Sequence, residues 1–266
     1  MKRTLPGILI AVAWVLLLLA GTPIHFYLVM LCVVAIAAYE YLKMTFKEGL
    51  GIFSRAFLIL TLGLPTVFAW PGCQYISSQF GLYLSFFLTT LYFIKRYAHF
   101  DDTYERFSRV VFGIVYVGVL ASYLVMLRYI PQGGSWLVVL SAITAGSDSG
   151  AYYFGRTFGK RKLSPHISPK KTVEGALGGL LSSVIIAILF SWILLDNVNM
   201  FLVVGIAILL TGVGILGDLA ESIIKRGTST KDSGRLLAGH GGVLDRIDSI
   251  LLASPVLYYL LIIIGV

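Results

Sequence analysis

The sequence predicts an all-α integral membrane protein, a polytopic bundle of about nine transmembrane helices. Three observations predict it. Hydrophobic residues fill 58% of the 266 positions and charged residues only 13%, against about 25% charged in soluble domains. Mean hydropathy is +0.88. The apolar residues also lie in continuous runs approaching the ~20 residues that cross a bilayer. They do not alternate, which argues against a β-barrel.

Taken in order, the runs place spans near 5–21, 24–42, 56–71, 80–94, 110–127, 136–155, 174–195, 200–220 and 249–266. The first follows Lys2 and Arg3 and has the length of a signal h-region. It reads as a retained helix, because Gly21-Thr22-Pro23 is a poor cleavage site and another span begins at once. The fourth is the shortest. The sixth carries Asp148 near its end, the eighth ends in an acidic and basic face, and the ninth follows a charged run. Residues 1–135 are N-terminal transmembrane helices read by hydropathy alone, and 136–266 form the region that carries chemistry. Nothing outside the apolar runs is long enough to bury its own core, so both belong to one membrane domain. Cys32 and Cys73 form no CxxC and read as packed small hydrophobes. No internal repeat is visible, which lowers the case for an inverted-repeat transporter.

Charge gives the orientation. With the N-terminus inside and nine crossings, twenty of the 21 Lys and Arg residues fall on one side and only Arg128 on the other. That is the positive-inside pattern, with a cytoplasmic basic face and the C-terminus outside. The net charge of +8 suits anionic headgroups and nucleotides. Short loops without interleaved aromatics argue against nucleic acid.

Three groups of ionisable residues meet at that face. Asp148 sits in Ser147-Asp148-Ser149-Gly150, within the sixth span. An ionised side chain deep in a bilayer costs about 2.5–3.5 kcal/mol on insertion scales, so each is a functional candidate. Asp218, Glu221, Ser222 and Lys225 follow at helical spacing and share one face. Asp245 and Asp248 flank Arg246 just before the ninth span, behind Gly239-His240-Gly241-Gly242. Glycines there permit close backbone approach. Between the first two groups lies a basic loop holding Arg156, Lys160, Arg161, Lys162, Lys170 and Lys171, in which Ser168 and Pro169 read as N-cap and first residue of the next helix. Carboxylates hold metal ions, and Lys and Arg hold phosphates. P-loop, dinucleotide, zinc-protease and serine-hydrolase motifs are absent.

The run Ser222-Ile-Ile-Lys225-Arg226, then Lys231-Asp232-Ser233-Gly234, then His240-Gly-Gly-Val-Leu-Asp245-Arg246-Ile-Asp248 closely resembles the signature of phosphatidate cytidylyltransferases, the CDP-diacylglycerol synthases. Asp148–Tyr152 and Ser168–Gly175 are also similar to that family. The resemblance is clear from about 140 to 255. It implies an integral-membrane enzyme that makes CDP-diacylglycerol and pyrophosphate from CTP and phosphatidic acid; the charge asymmetry places the N-terminus and active site on the cytoplasmic side of the cell membrane. It also implies Mg²⁺, alone or with a second cation, and membrane lipids around the protein; a homodimer is the expected assembly. Such chemistry needs charge neutralisation and in-line positioning rather than a general base. On this resemblance Asp218, Asp245 and Asp148 are the expected metal ligands, and Asp218, Asp245, Lys225 and Asp248 the catalytic group. Lys170, Lys171, Ser222, Arg226 and Arg246 are expected at substrate, with His240, Gly241 and Gly242 cradling the triphosphate. A CTP-dependent polyprenol or dolichol kinase is the alternative within enzymes. An ion-coupled transporter is the alternative outside them.

Overall fold

The computed structural model of the protein describes residues 4–46, 49–70, 77–234 and 241–265. Helices form where apolar runs were read: α1 (Thr4–Leu19), α2 (Pro23–Thr45), α3 (Ile52–Val67) and α4 (Ser78–Lys95). Then α5 (Thr103–Gly113) passes through a π-helical turn (Ile114–Val119) into α6 (Leu120–Tyr129), making one rod. After α7 (Gly133–Phe158) come two short strands, β1 (Lys162–Ser164) and β2 (Ser168–Thr172), then α8 (Val173–Leu194), α9 (Met200–Gly227) and α10 (Leu244–Ile264).

Five of these rods are long and apolar enough to cross a membrane: α2, the α5–α6 rod, α8, α9 and α10. Helices lie where the nine spans were expected, but among the described residues length and hydropathy qualify five of them to cross a membrane. Within α1 and α3 the apolar helices are shorter, and α7 is diluted by Ser141, Thr144, Ser147 and Asp148. Large apolar side chains point outward along the bundle, among them Ile8 and Leu16 on α1 and Leu177, Leu181 and Ile185 on α8. Such a surface suits acyl chains, not water. Cys32 is also exposed on α2 rather than packed inside, and Cys73 lies outside the described residues. One buried apolar cluster runs from Leu18 and Phe26 through Trp136 to Leu251 and Leu261, joining both halves of the chain.

Two helices carry proline beyond their first turn, Pro65 in α3 and Pro255 in α10, and in each a serine hydroxyl serves the freed carbonyl. Proline at i leaves the carbonyl at i−4 without its helical donor, which is costly in lipid. Pro65 frees the carbonyl of Thr61, which accepts from Ser85 Oγ at 2.6 Å. Pro255 frees that of Leu251, which accepts from Ser254 Oγ at 3.0 Å.

The up-and-down order separates two ends. At one, Arg128 donates to the Gly21 carbonyl at 2.6 Å and Tyr27 Oη to that of Val67 at 2.7 Å. At the other, Arg109 donates to the Thr45 carbonyl at 2.6 Å and Arg226 Nε to that of Ile167 at 3.3 Å. The hairpin and the starts of α8 and α10 share this second, basic end. The tightest pairing is α7 on α8, where backbones touch: a Cβ on Gly150 would lie 2.6 Å from the Gly178 oxygen, and one on Gly179 2.7 Å from that of Ser147. This seam holds the start of α8 beside Asp148.

One expectation is corrected here. Ser168 and Pro169 do not start a helix; they lie in β2, which pairs antiparallel with β1, Lys162 opposite Thr172 and Ser164 opposite Ser168. A two-stranded hairpin has an outer edge where proline's missing N–H does no harm. The helix begins at Val173, and Thr172 caps it, Oγ1 accepting from Gly175 N–H at 3.1 Å. Glu174 then turns back and accepts from the N–H groups of Lys160 at 3.0 Å and Arg161 at 3.1 Å, closing the loop.

Candidate active site

The predicted residues gather at the basic end, in two unlike neighbourhoods. The first is a cavity of about 230 Å³ between α7, β2 and α9, lined by Asp148, Tyr152, Lys170, Lys171, Thr172 and Asp218 among others. The hairpin carries Lys171 to the mouth, where Nζ pairs with Asp218 Oδ2 at 2.5 Å. Both side chains remain partly accessible, at 24% and 31%, so the pair can open to a ligand. Asp148 feels the like charge of Asp218 and the opposite charges of Lys171 and Arg246. Lys170 lies exposed on β2 beside them.

The second neighbourhood is closed. Lys225, one helical turn beyond Glu221, pairs with Glu221 Oε2 and, at 2.9 Å, with Asp245 Oδ1. Asp245 Oδ2 accepts from the N–H groups of Gly242 at 2.8 Å and Ser233 at 3.1 Å. Asp245 N–H in turn donates to Ser233 Oγ at 3.3 Å. Glu221 is 1% exposed, and its Oε1 has no partner among the described residues. Asp248 is buried, one oxygen accepting from Ser249 N–H at 2.6 Å. It sits against α9 because Gly217 has no side chain; a Cβ there would meet the Asp248 carbonyl at 2.8 Å.

Asp148, Asp218 and Asp245 therefore do not form one preformed ligand set. Among the described residues no three acidic, histidine or cysteine side chains are grouped to hold an ion. The first two share the cavity, and the third is tied into the closed knot. In kind, the donors still fit a hard divalent cation. Asp148, Asp218, Glu221, Asp245 and Asp248 interact with Lys171, Lys225 and Arg246, so carboxylates outnumber their bases. Magnesium is commonly held by one or two carboxylates with phosphate and water completing its shell.

The glycine-rich turn also differs from expectation. The N–H of Gly242 is given to Asp245, not left for a triphosphate. Gly241 has φ +80°, and a Cβ on it would lie 2.6 Å from Asp245 Oδ2. The close approach that glycine allows is thus toward the protein's own carboxylate. His240 lies outside the described residues. Ser222 is half-buried on α9, Arg226 reaches the hairpin, and Arg246 is exposed beside the cavity.

Sequence reasoning missed Glu40 of α2. It is 3% exposed, and its Oε2 accepts from Leu244 N–H at 2.9 Å and Ser233 Oγ at 3.4 Å. The signal was available: a lone acid in an apolar run, as telling as Asp148.

A profile of the cytidylyltransferase family matches residues 1–264. The chain is 32% identical over 265 residues to the phosphatidate cytidylyltransferase of Bacillus subtilis (strain 168), covering 98% of this chain and 97% of that one. It is 34% identical over 264 residues to the enzyme of the same name from Staphylococcus haemolyticus, and 35% over 263 to that from Staphylococcus saprophyticus, covering 98% of each chain in both cases. The likeness thus extends well beyond 140–255, through the helices first read by hydropathy alone. With the match spanning both the α2 carboxylate and the α9–α10 knot, this chain belongs to the cytidylyltransferase family.

Proposed function

We propose that this protein is a phosphatidate cytidylyltransferase, joining CTP and phosphatidic acid into CDP-diacylglycerol and pyrophosphate. The observation that carries this is the cavity where Lys171 and Asp218 pair beside Asp148, at the polar end of an otherwise apolar bundle. A phosphate monoester is largely ionised at neutral pH, its second pKa being about 6. Its oxygen can therefore attack the α-phosphorus of CTP without a general base. The new oxygen–phosphorus bond forms as the bond to the β-phosphate bridging oxygen breaks, and pyrophosphate leaves with the electron pair.

Residues of this chain position and neutralise. Lys171 exchanges Asp218 for a substrate phosphate, Lys170 and Arg246 add positive charge at the mouth, and Arg226 holds the hairpin in place. Lys225, fixed by Glu221 and Asp245, keeps a cation below the reacting phosphates. Asp148 and Asp218 would hold Mg²⁺. When bound, that ion neutralises phosphate charge and assists the departing pyrophosphate.

The basic end is read as cytoplasmic, with the N-terminus there, the C-terminus opposite, and all nine rods crossing. The charge asymmetry supports this. Phosphatidate stays in the bilayer because each buried CH₂ is worth about 0.8 kcal/mol, so the cavity must admit lipid laterally and CTP from water. The test is purified protein with CTP labelled at the α- or γ-phosphate, phosphatidate, and Mg²⁺ or EDTA. α-Label entering lipid and γ-label leaving as pyrophosphate, stopped by EDTA and restored by Mg²⁺, is the expected result. γ-Label in lipid would overturn the reading in favour of a lipid kinase, and full activity in EDTA would overturn the metal assignment.

A further inference from the structure

Glu40 lies in α2, far from the signature in sequence. Leu244, which donates to it at 2.9 Å, is 204 residues away. Leu244 is the first residue of α10, and Val243 before it offers no side-chain cap. A helix start leaves N–H groups unsatisfied and favours negative charge. Glu40 supplies from another helix what a local cap would supply. The same Oε2 accepts from the hydroxyl of Ser233, whose N–H donates to the Asp245 carboxylate and whose Oγ accepts from Asp245 N–H. Ser233 and Leu244, on either side of Asp245 in the hydrogen-bond network, thus converge on one carboxylate.

Two glycines make room for it. A Cβ on Gly234 would overlap Glu40 Oε1, and one on Gly242 would overlap Ser233 Oγ and come within 2.5 Å of Glu40 Oε2. An acid of this size, nearly fully buried, fits because Gly234 and Gly242 place no side chain against it. A carboxylate kept only for packing would more simply be replaced by an apolar side chain.

We propose that Glu40 is a positioning residue for cytidylyl transfer: it latches Ser233 and the start of α10 at Leu244 onto α2 and so sets where Asp245 holds Lys225. This rests on the function proposed above. Four variants test it in purified protein: Glu40→Gln, Glu40→Ala, Gly234→Ala, and Glu40→Ala with Gly234→Ala. The readouts are kcat and KM per folded molecule, melting temperature, and hydrogen exchange at the Leu244 amide. Removing the acceptor is expected to lower kcat about tenfold or more with KM for CTP changed less than about twofold, while Gln, which keeps an acceptor, restores most of the rate. Gly234→Ala is expected to lower kcat in the parent and to add nothing in Glu40→Ala, because the overlap is gone. The Leu244 amide exchanges faster in Glu40→Ala than in Glu40→Gln.

Unchanged kcat in folded Glu40→Ala, a change in KM alone, or equal damage by Gly234→Ala in both backgrounds would overturn the proposal. If Glu40→Ala does not fold, a Glu40→Gln protein with parental kcat and parental Leu244 exchange supports the latch, and one as slow as Gly234→Ala refutes it. If the parent makes no CDP-lipid, the functional reading fails by itself, and Leu244 exchange still decides whether the latch exists.

Discussion

Asp218 and Asp245 bear the same chemical group at the same end of the bundle, yet they are built into opposite kinds of surroundings. Asp218 pairs with a lysine from a hairpin, at the mouth of a cavity. Asp245 is held by Lys225, two backbone N–H groups and a segment that Glu40 anchors in turn. On the function proposed above, the first would exchange partners with a ligand and the second would hold Lys225 in place. The difference teaches that the spacing of acids along a chain identifies a site without ranking its members.

Asp218→Asn breaks the comparison at its open side and has the largest expected effect. It should lower kcat by about 10²–10³-fold, the scale of losing one preorganised electrostatic group, while the melting temperature stays near the parent's. Steady-state turnover beside a thermal melt checks both. A melt lowered as far as that of Asp245→Asn would show the two carboxylates to be equivalent after all.

Asp245→Asn tests the closed side. The amide can still accept from Gly242 but loses its charge toward Lys225. Hydrogen bonds to charged groups are worth about 1.5–3 kcal/mol, so stability should fall by about 2 kcal/mol together with an activity loss of about a hundredfold. Chemical or thermal unfolding in a defined detergent measures the first part. An unfolding curve identical to the parent's would remove the argument that Asp245 is structural as well as functional.

Lys171→Ala sharpens the open side and has the smallest expected effect. It leaves Asp218 in place and removes a phosphate partner, so KM for CTP or phosphatidate should rise about tenfold, with kcat falling less than in Asp218→Asn. Initial rates with each substrate varied in turn show this. Unchanged KM values for both would mean that Lys171 serves the hairpin alone.

Much of this was legible in the chain. Long apolar runs fix helix positions through local hydropathy, and α9 shows in its i, i+3, i+4 and i+7 spacing that Asp218, Glu221 and Lys225 share a helix. The Glu221–Lys225 pair follows directly from that spacing. The hairpin was not legible, because Ser168-Pro169 has the chemistry of a helix start and only pairing with residues 162–164 decides otherwise. Glu40 was legible as a lone acid in an apolar run, but not its role, because its partners Ser233 and Leu244 lie 193 and 204 residues away.

The sequence by itself determined that the chain is a helical membrane protein, that its charge collects at one end, and which family signature occupies that end. These depend on composition, local periodicity and contiguous motif, all readable along the backbone. The tertiary structure decided which carboxylate is open and which is locked, and that a helix from the N-terminal half holds the segment carrying Asp245. The physical reason is that a buried charge takes its character from whatever lies within hydrogen-bonding reach. For Asp245 those neighbours are Lys225 of α9, Ser233 and Gly242 and, through Ser233 and Leu244, Glu40 of α2.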